Sequence, residues 1–199
     1  MQEVFYEESA VVQNVGPAKT KYFIFKTFSI ISYVIAILWL MLAIFAFPLE
    51  GNVLMNIVFA ALPFVIFLLS GIFTGKIKDK FYVDYDYTFV SGSLRFSRVI
   101  KNVKRKSILV FDADCIEKLG KYGSGTYERC ALSPDKKLLT LTSNVEASDG
   151  KEFYYIFAAV GGQKYLLILE CTETFIANVI KFTKRTILED EFFNKYGKK

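Results

Sequence analysis

The hydrophobic pattern divides the chain in two. From Thr27 to Gly75 the apolar residues run almost without interruption, and the only charge is Glu50. A window of that length in a soluble domain of average composition holds about a dozen charges. Glu50 splits the window into Thr27–Leu49 and Gly51–Gly75. At ~1.5 Å rise per residue, each segment exceeds the ~30 Å of a bilayer core. Backbone polar groups in lipid need partners within the chain, so both segments are expected to be helices. Pro48, Glu50, Gly51 and Asn52 supply the turn of a hairpin, and Pro63 is expected to kink its second arm.

After Gly75 the period changes to two. Phe81, Val83, Tyr85, Tyr87 and Phe89 alternate with Asp84, Asp86 and Thr88, the pattern of a half-buried strand with its carboxylates in solvent. Ser91-Gly92 marks a hairpin turn. Leu94, Phe96 and Ile100 continue as a second strand, with Arg95 and Ser97 outward, and Lys101-Asn102 turns the chain again. Ser107–Phe111 and Cys115–Leu119 read as strands three and four. Gly120–Pro134 reads as a loop. Leu138–Thr142, Phe153–Val160 and Tyr165–Leu169 read as three more strands, the last two joined by Gly161-Gly162. Phe175, Ile176, Val179, Ile180 and Ile187 then fall on one helical face, with Thr172 or Thr174 placed to cap it. At the other end, Val4, Phe5, Val11, Val12 and Val15 fit one face of a short helix, and a frayed terminus fits equally well.

The expected fold is therefore α+β: a two-helix transmembrane hairpin followed by a seven-stranded antiparallel barrel closed by a C-terminal helix. Strand order and terminal helix resemble the pleckstrin-homology-like barrel. The segments are 1–26 (N-terminal), 27–75 (hairpin) and 76–199 (β-rich domain with its helix). Tyr85-Asp-Tyr-Thr-Phe-Val-Ser-Gly-Ser-Leu, Arg98-Val-Ile, Lys104-Arg-Lys, Ile116-Glu-Lys-Leu-Gly-Lys-Tyr122, Tyr154-Tyr-Ile-Phe and Leu166-Leu-Ile-Leu-Glu together resemble a family of uncharacterised bacterial membrane proteins. That resemblance, to a domain of unknown function, implies the same architecture over nearly the whole chain and brings no activity with it.

Charge adds an orientation. Lys19, Lys21 and Lys26 precede the first span, Lys76, Lys78 and Lys80 follow the second, and the connecting turn has no Lys or Arg. By the positive-inside rule this is a multi-pass cell-membrane protein with both termini in the cytoplasm. Neither span carries an ionisable residue at depth, which favours an anchor over an ion pathway. A subunit of a small oligomeric channel or transporter is an alternative.

Candidate chemistry is sparse. The chain has no histidine, which excludes His-dependent acid–base and triad catalysis. Cys115, Cys130 and Cys171 form no C-x-x-C pair, so no metal site or other cofactor is expected. Asp112 and Asp114 have the spacing of a divalent-metal-binding pair and define an enzyme alternative, against a plain turn. Gly120-Lys-Tyr-Gly-Ser-Gly125 lacks the phosphate-loop spacing.

The strongest feature is basic. Arg95, Arg98, Lys101, Lys104, Arg105 and Lys106 lie in one stretch with no acid among them. Near an anionic leaflet each such charge is worth about 1 kcal/mol. These six residues are the candidate lipid-binding set; the competing explanation is a solvated hairpin whose charges deter edge pairing. The expected role is non-catalytic: a membrane-tethered cytoplasmic module that binds acidic lipid headgroups or a protein partner. The aromatics alternate as core positions and form no stacking platform, so nucleic acid is not expected as a partner.

Overall fold

A computed structural model describes residues 5–46, 53–101 and 103–183. The chain forms two compact units, Asn14–Tyr82 and a second that joins the residues before Asn14 to those from Val83 onward.

The first unit is a helical hairpin. Helix α1 spans Val15–Ala46 and α2 spans Val53–Ile77. Both are long and apolar enough to cross a membrane. Their side chains are distributed inside out relative to a soluble helix pair. Leu38, Ile44, Leu54 and Phe73 are exposed, while Ser29, Ser32, Ala36 and Ala43 are buried. Small residues at the seam let the two helix backbones approach closely. Ser29 Oγ donates to the Gly71 carbonyl at 2.8 Å. Trp39 Nε1 donates to the Ala60 carbonyl at 3.1 Å, within the turn that Pro63 disturbs. A Cβ on Gly71 would lie 2.9 Å from the Tyr33 ring, so any larger residue there requires the ring to shift. At the base of the hairpin, Phe25 stacks on Phe81 with centroids 4.9 Å apart.

The second unit is a two-sheet sandwich. Strands β1 (Phe5–Ala10), β2 (Val83–Val90), β3 (Ser93–Ile100) and β4 (Lys104–Asp112) form one antiparallel sheet in sequence order. Strands β5 (Ile116–Lys121), β6 (Lys136–Thr140), β7 (Glu152–Val160) and β8 (Gln163–Cys171) form the other, in the order β5-β7-β8-β6, with β6 parallel to β8. Helix α4 (Glu173–Phe182) follows β8 and is capped by Thr172, whose hydroxyl accepts from the Phe175 amide. Phe175, Ile176 and Val179 are fully buried, and the Phe175 ring meets Tyr6 and Tyr87, each at 6.0 Å. Ile187 lies outside the described residues.

Four expectations change. The sheets do not close into an antiparallel barrel, since β6 runs parallel to β8 and β4 and β6 remain edge strands, and the described residues hold eight strands instead of seven. The additional strand is β1, where a short helix or a frayed end was expected. It pairs with β2 from Phe5↔Val90 to Ala10↔Tyr85. Glu7-Glu8 hid it, because Glu8 occupies an inward phase and breaks the apolar alternation. The third change is helix α3 (Gly125–Ala131), which occupies part of the expected loop and is capped by Ser124. It covers Tyr155, Phe157 and Leu166 on the outer face of the second sheet. Burial on both faces explains why β7 and β8 read as continuous apolar runs. The fourth concerns Asp84 and Asp86, which are not solvated but 5% and 6% exposed.

Because Gly71 sets the helix crossing, Gly71→Leu should destabilise the hairpin by about 1–3 kcal/mol, as overpacking does in other cores. A fall in the unfolding midpoint of the full chain in detergent, with Gly71→Ala falling less, is the expected result.

Candidate functional site

The period of two that builds β3 and β4 also sorts the six basic residues. Directly opposed residues in antiparallel strands share a face. In register, Tyr85 opposes Arg98 and Arg98 opposes Lys106, while Val83 opposes Ile100 and Ile100 opposes Lys104. Arg98, Lys104 and Lys106 therefore share the face that carries Tyr87, Phe89, Leu94 and Phe96 into the core. Arg95 and Arg105 are on the other face, and Lys101 is at the turn, with φ +54°. Arg95, Lys101, Lys104, Arg105 and Lys106 are exposed; Arg98 is half-buried.

Arg105 is engaged within the domain. Its guanidinium lies 3.1 Å from Asp86 Oδ2 and 3.7 Å from a Glu7 oxygen. The contact with Asp86 is an ion pair without an aligned hydrogen bond. The other Asp86 oxygen accepts from Ser9 Oγ at 2.7 Å. Asp84 accepts from the Val12 amide at 2.8 Å; burial raises its pKa against the pull of that hydrogen bond. Both carboxylates thus hold β1 and the segment just after it.

Arg98 and Lys106 are arranged differently. Neither forms an ion pair among the described residues. With Tyr85, Ser107 and Thr140 they line a cleft of about 320 Å³ between β4 and β6, walled on its apolar side by Ile108, Leu139 and Leu141. β4 and β6 are the outer strands of their sheets, so the cleft is the seam where the sandwich stays open. The register shift between Phe96 and Ser97 marks the point where the inward face changes from apolar to basic. Burial raises the Tyr85 phenol pKa and Arg98 lowers it; the net shift is upward, so the phenol keeps its proton at neutral pH. The sequence signal for this site was an arginine on the inward phase between Phe96 and Ile100. Tyr85, Ser107 and Thr140 carried no such signal.

A second polar centre lies on the outer face of β8. Glu170 is fully buried and accepts from Thr142 Oγ1, Asn144 Nδ2, Ser148 Oγ and the Ser148 amide. Burial alone would raise its pKa, but these donors outweigh it and leave the carboxyl below the usual range. The loop they order also grips the end of the N-terminal segment, since the Gln13 amide donates to Asn144 Oδ1 and Asn144 Nδ2 to the Val11 carbonyl. Close by, Glu8 accepts from the Thr172 amide at 2.9 Å and pairs with Lys151 at 3.4 Å. Every one of these contacts ties strands or loops together.

Asp112 and Asp114 are exposed on either side of the buried Ala113. Among the described residues no three His, Cys, Asp or Glu side chains come together as metal ligands. Cys171 is buried, which pushes its thiol pKa well up, and Cys115 and Cys130 are half-buried. Tyr122 and Tyr127 pack on each other at 4.7 Å, and Tyr127 packs on Tyr155.

The family described as Bacterial PH-like domain (DUF6106) matches residues 23–189, most of the chain. The chain belongs to this family. No curated protein matches it, and no solved structure does. The match covers most of the two helices as well as the strands from β2 onward, while β1 precedes it. Membership in this PH-like family is consistent with both the α+β architecture and the two apolar helices.

Glu170 generates a pH prediction. Its folded pKa is depressed, so its contribution is present above the ordinary carboxyl value of about 4.3 and is lost as pH falls through the folded value. Asp84, with a raised folded pKa, works in the opposite sense. Glu170→Gln should cost about 1–3 kcal/mol at neutral pH. It should also flatten the loss of stability below pH ~4.3. Guanidinium midpoints of the full chain in detergent, followed by near-ultraviolet circular dichroism across pH, test both effects.

Proposed function

We propose that this PH-like protein is a non-catalytic, membrane-anchored module whose β domain lies at the cytoplasmic face and engages acidic lipid headgroups through the β3–β4 hairpin. The observation that carries the reading is the exposure of Arg95, Lys101, Lys104 and Lys106 on one hairpin of a chain that also holds two helices of membrane-spanning length. Val103 at the hairpin tip is 84% exposed and adds an apolar group of the kind that enters a headgroup region. The lysines flanking both helices orient the termini inward. Tethering supplies the effective concentration, so each charge needs to add only about 1 kcal/mol. An enzyme built on Asp112 and Asp114 has less support, because both carboxylates are exposed and no third potential ligand joins them among the described residues.

The test uses the full chain in nanodiscs. Hydrogen exchange across 99–105 should slow in discs containing phosphatidylglycerol relative to phosphatidylcholine alone. The protection should fade at high salt, where screening shortens to about 3 Å at 1 M. It should also fade in the Arg95→Gln, Lys101→Gln, Lys104→Gln triple variant. Equal exchange in both discs would overturn the reading.

A further inference from the structure

We infer that the seam cleft between β4 and β6 is a binding site for a single phosphate monoester, held by Arg98 and Lys106. The inference rests on the reading of an anion-binding module and names the ligand class. It starts from register. Tyr85, Arg98 and Lys106 form a continuous cross-strand row over β2, β3 and β4, and all three line the cleft. Two of the three are cations on the phase that elsewhere builds the core. Arg98 is half-buried there and has a desolvation cost unless something compensates it, while Lys106 is exposed at the rim. No carboxylate lines the cleft, and neither cation has an ion pair among the described residues.

The donors define the ligand. Arg98 offers a planar fork and Lys106 a point charge, and Tyr85, Ser107 and Thr140 line the same space. That is more donor capacity than the two oxygens of a carboxylate use. It matches the three terminal oxygens and near-dianionic charge of a phosphate monoester. The volume, about 320 Å³, is at the small end of ligand pockets, the size of a phosphorylated headgroup or a small soluble ester. Leu139 and Leu141 give the ester's carbon side an apolar wall.

The same chemistry arises from a lipid, as in phosphatidic acid, or from a soluble compound, and the experiment separates them. Glycerol 3-phosphate is titrated calorimetrically into the full chain in phosphatidylcholine nanodiscs. Saturable binding at one site per chain is expected. Lys106→Gln and Arg98→Gln should each weaken it by about tenfold or more, with Arg98→Lys weakened less. An exposed cation outside both the cleft and the hairpin provides the control, and Lys118→Gln should bind within about twofold of the parent, since surface charges contribute little to a local site. Lys106 is exposed, so its variant carries the test if Arg98→Gln does not fold. Repeating the titration with phosphatidic acid in the discs assigns the source. Lost glycerol 3-phosphate binding identifies the lipid headgroup as occupant, and unchanged binding identifies a soluble ester. Absence of saturable binding in both discs, or binding indifferent to Lys106→Gln and Arg98→Lys, overturns the inference. Salt-sensitive hairpin protection that persists in such a case leaves the headgroup reading standing and removes the cleft alone.

Discussion

The pairing of β1 with β2 is the constraint on which the β domain depends. β1 precedes the helical hairpin in sequence and β2 follows it, yet Ala10 and Tyr85 are register partners. The domain is therefore discontinuous in sequence, and its first sheet is completed only when the chain has passed through both helices and returned. Closing so long a loop has an entropic cost that grows slowly with length. Two helices that pack on each other shorten the effective loop. The Ser29–Gly71 and Phe25–Phe81 contacts near the hairpin's base thus favour the strand pairing without touching it.

Buried charge ties the same pairing down. Asp84 and Asp86 lie beneath the N-terminal segment, and their partners include the Val12 amide and Ser9 hydroxyl. A buried carboxylate stripped of its partner costs several kcal/mol, so the segment cannot leave cheaply. Glu8, on β1 itself, reaches Thr172 and Lys151 beside the other sheet, and Glu170 on that sheet orders the loop that holds Gln13. Asp84 and Asp86 thus hold β1 and the residues after it directly, Glu8 fastens the strand from within, and Glu170 acts through the loop it orders. A fragment beginning at Lys76 would lack all of β1 and leave Asp84 without the Val12 amide, Asp86 without Ser9, and Thr172 and Lys151 without Glu8.

Where one periodicity governed a segment, the sequence was legible. The helices were visible in a run with a single charge, and Ser91-Gly92 and Gly161-Gly162 announced turns that adopt positive φ as expected. Legibility failed where tertiary partners override local pattern. Glu7-Glu8 reads as surface, but Glu8 faces inward because Lys151 and Thr172 meet it there. Asp84 and Asp86 read as a solvated face because nothing nearby in sequence announces β1. The six basic residues read as one patch because linear spacing ignores the pleat. Period two sends Arg98, Lys104 and Lys106 to one face and Arg105 to the other, where Asp86 takes it up. Applied to the basic residues as strictly as to the apolar ones, the same alternation picks out Arg98.

That arginine also accounts physically for the open sandwich. Closing the two sheets along β4 and β6 would bring Arg98 and Lys106 into a dry interior beside Leu139 and Leu141. No carboxylate lines that space to meet them. Burying even one unpaired cation costs several kcal/mol, more than a few added ladder hydrogen bonds return at about 1 kcal/mol each. The bulge at Ile108 lets β4 diverge where the inward face turns basic, and the seam stays accessible to water. The unclosed barrel and the inward cations are therefore one feature: the row from Tyr85 to Lys106 keeps the sheets apart, and the gap they leave is lined by the donors that an anion requires.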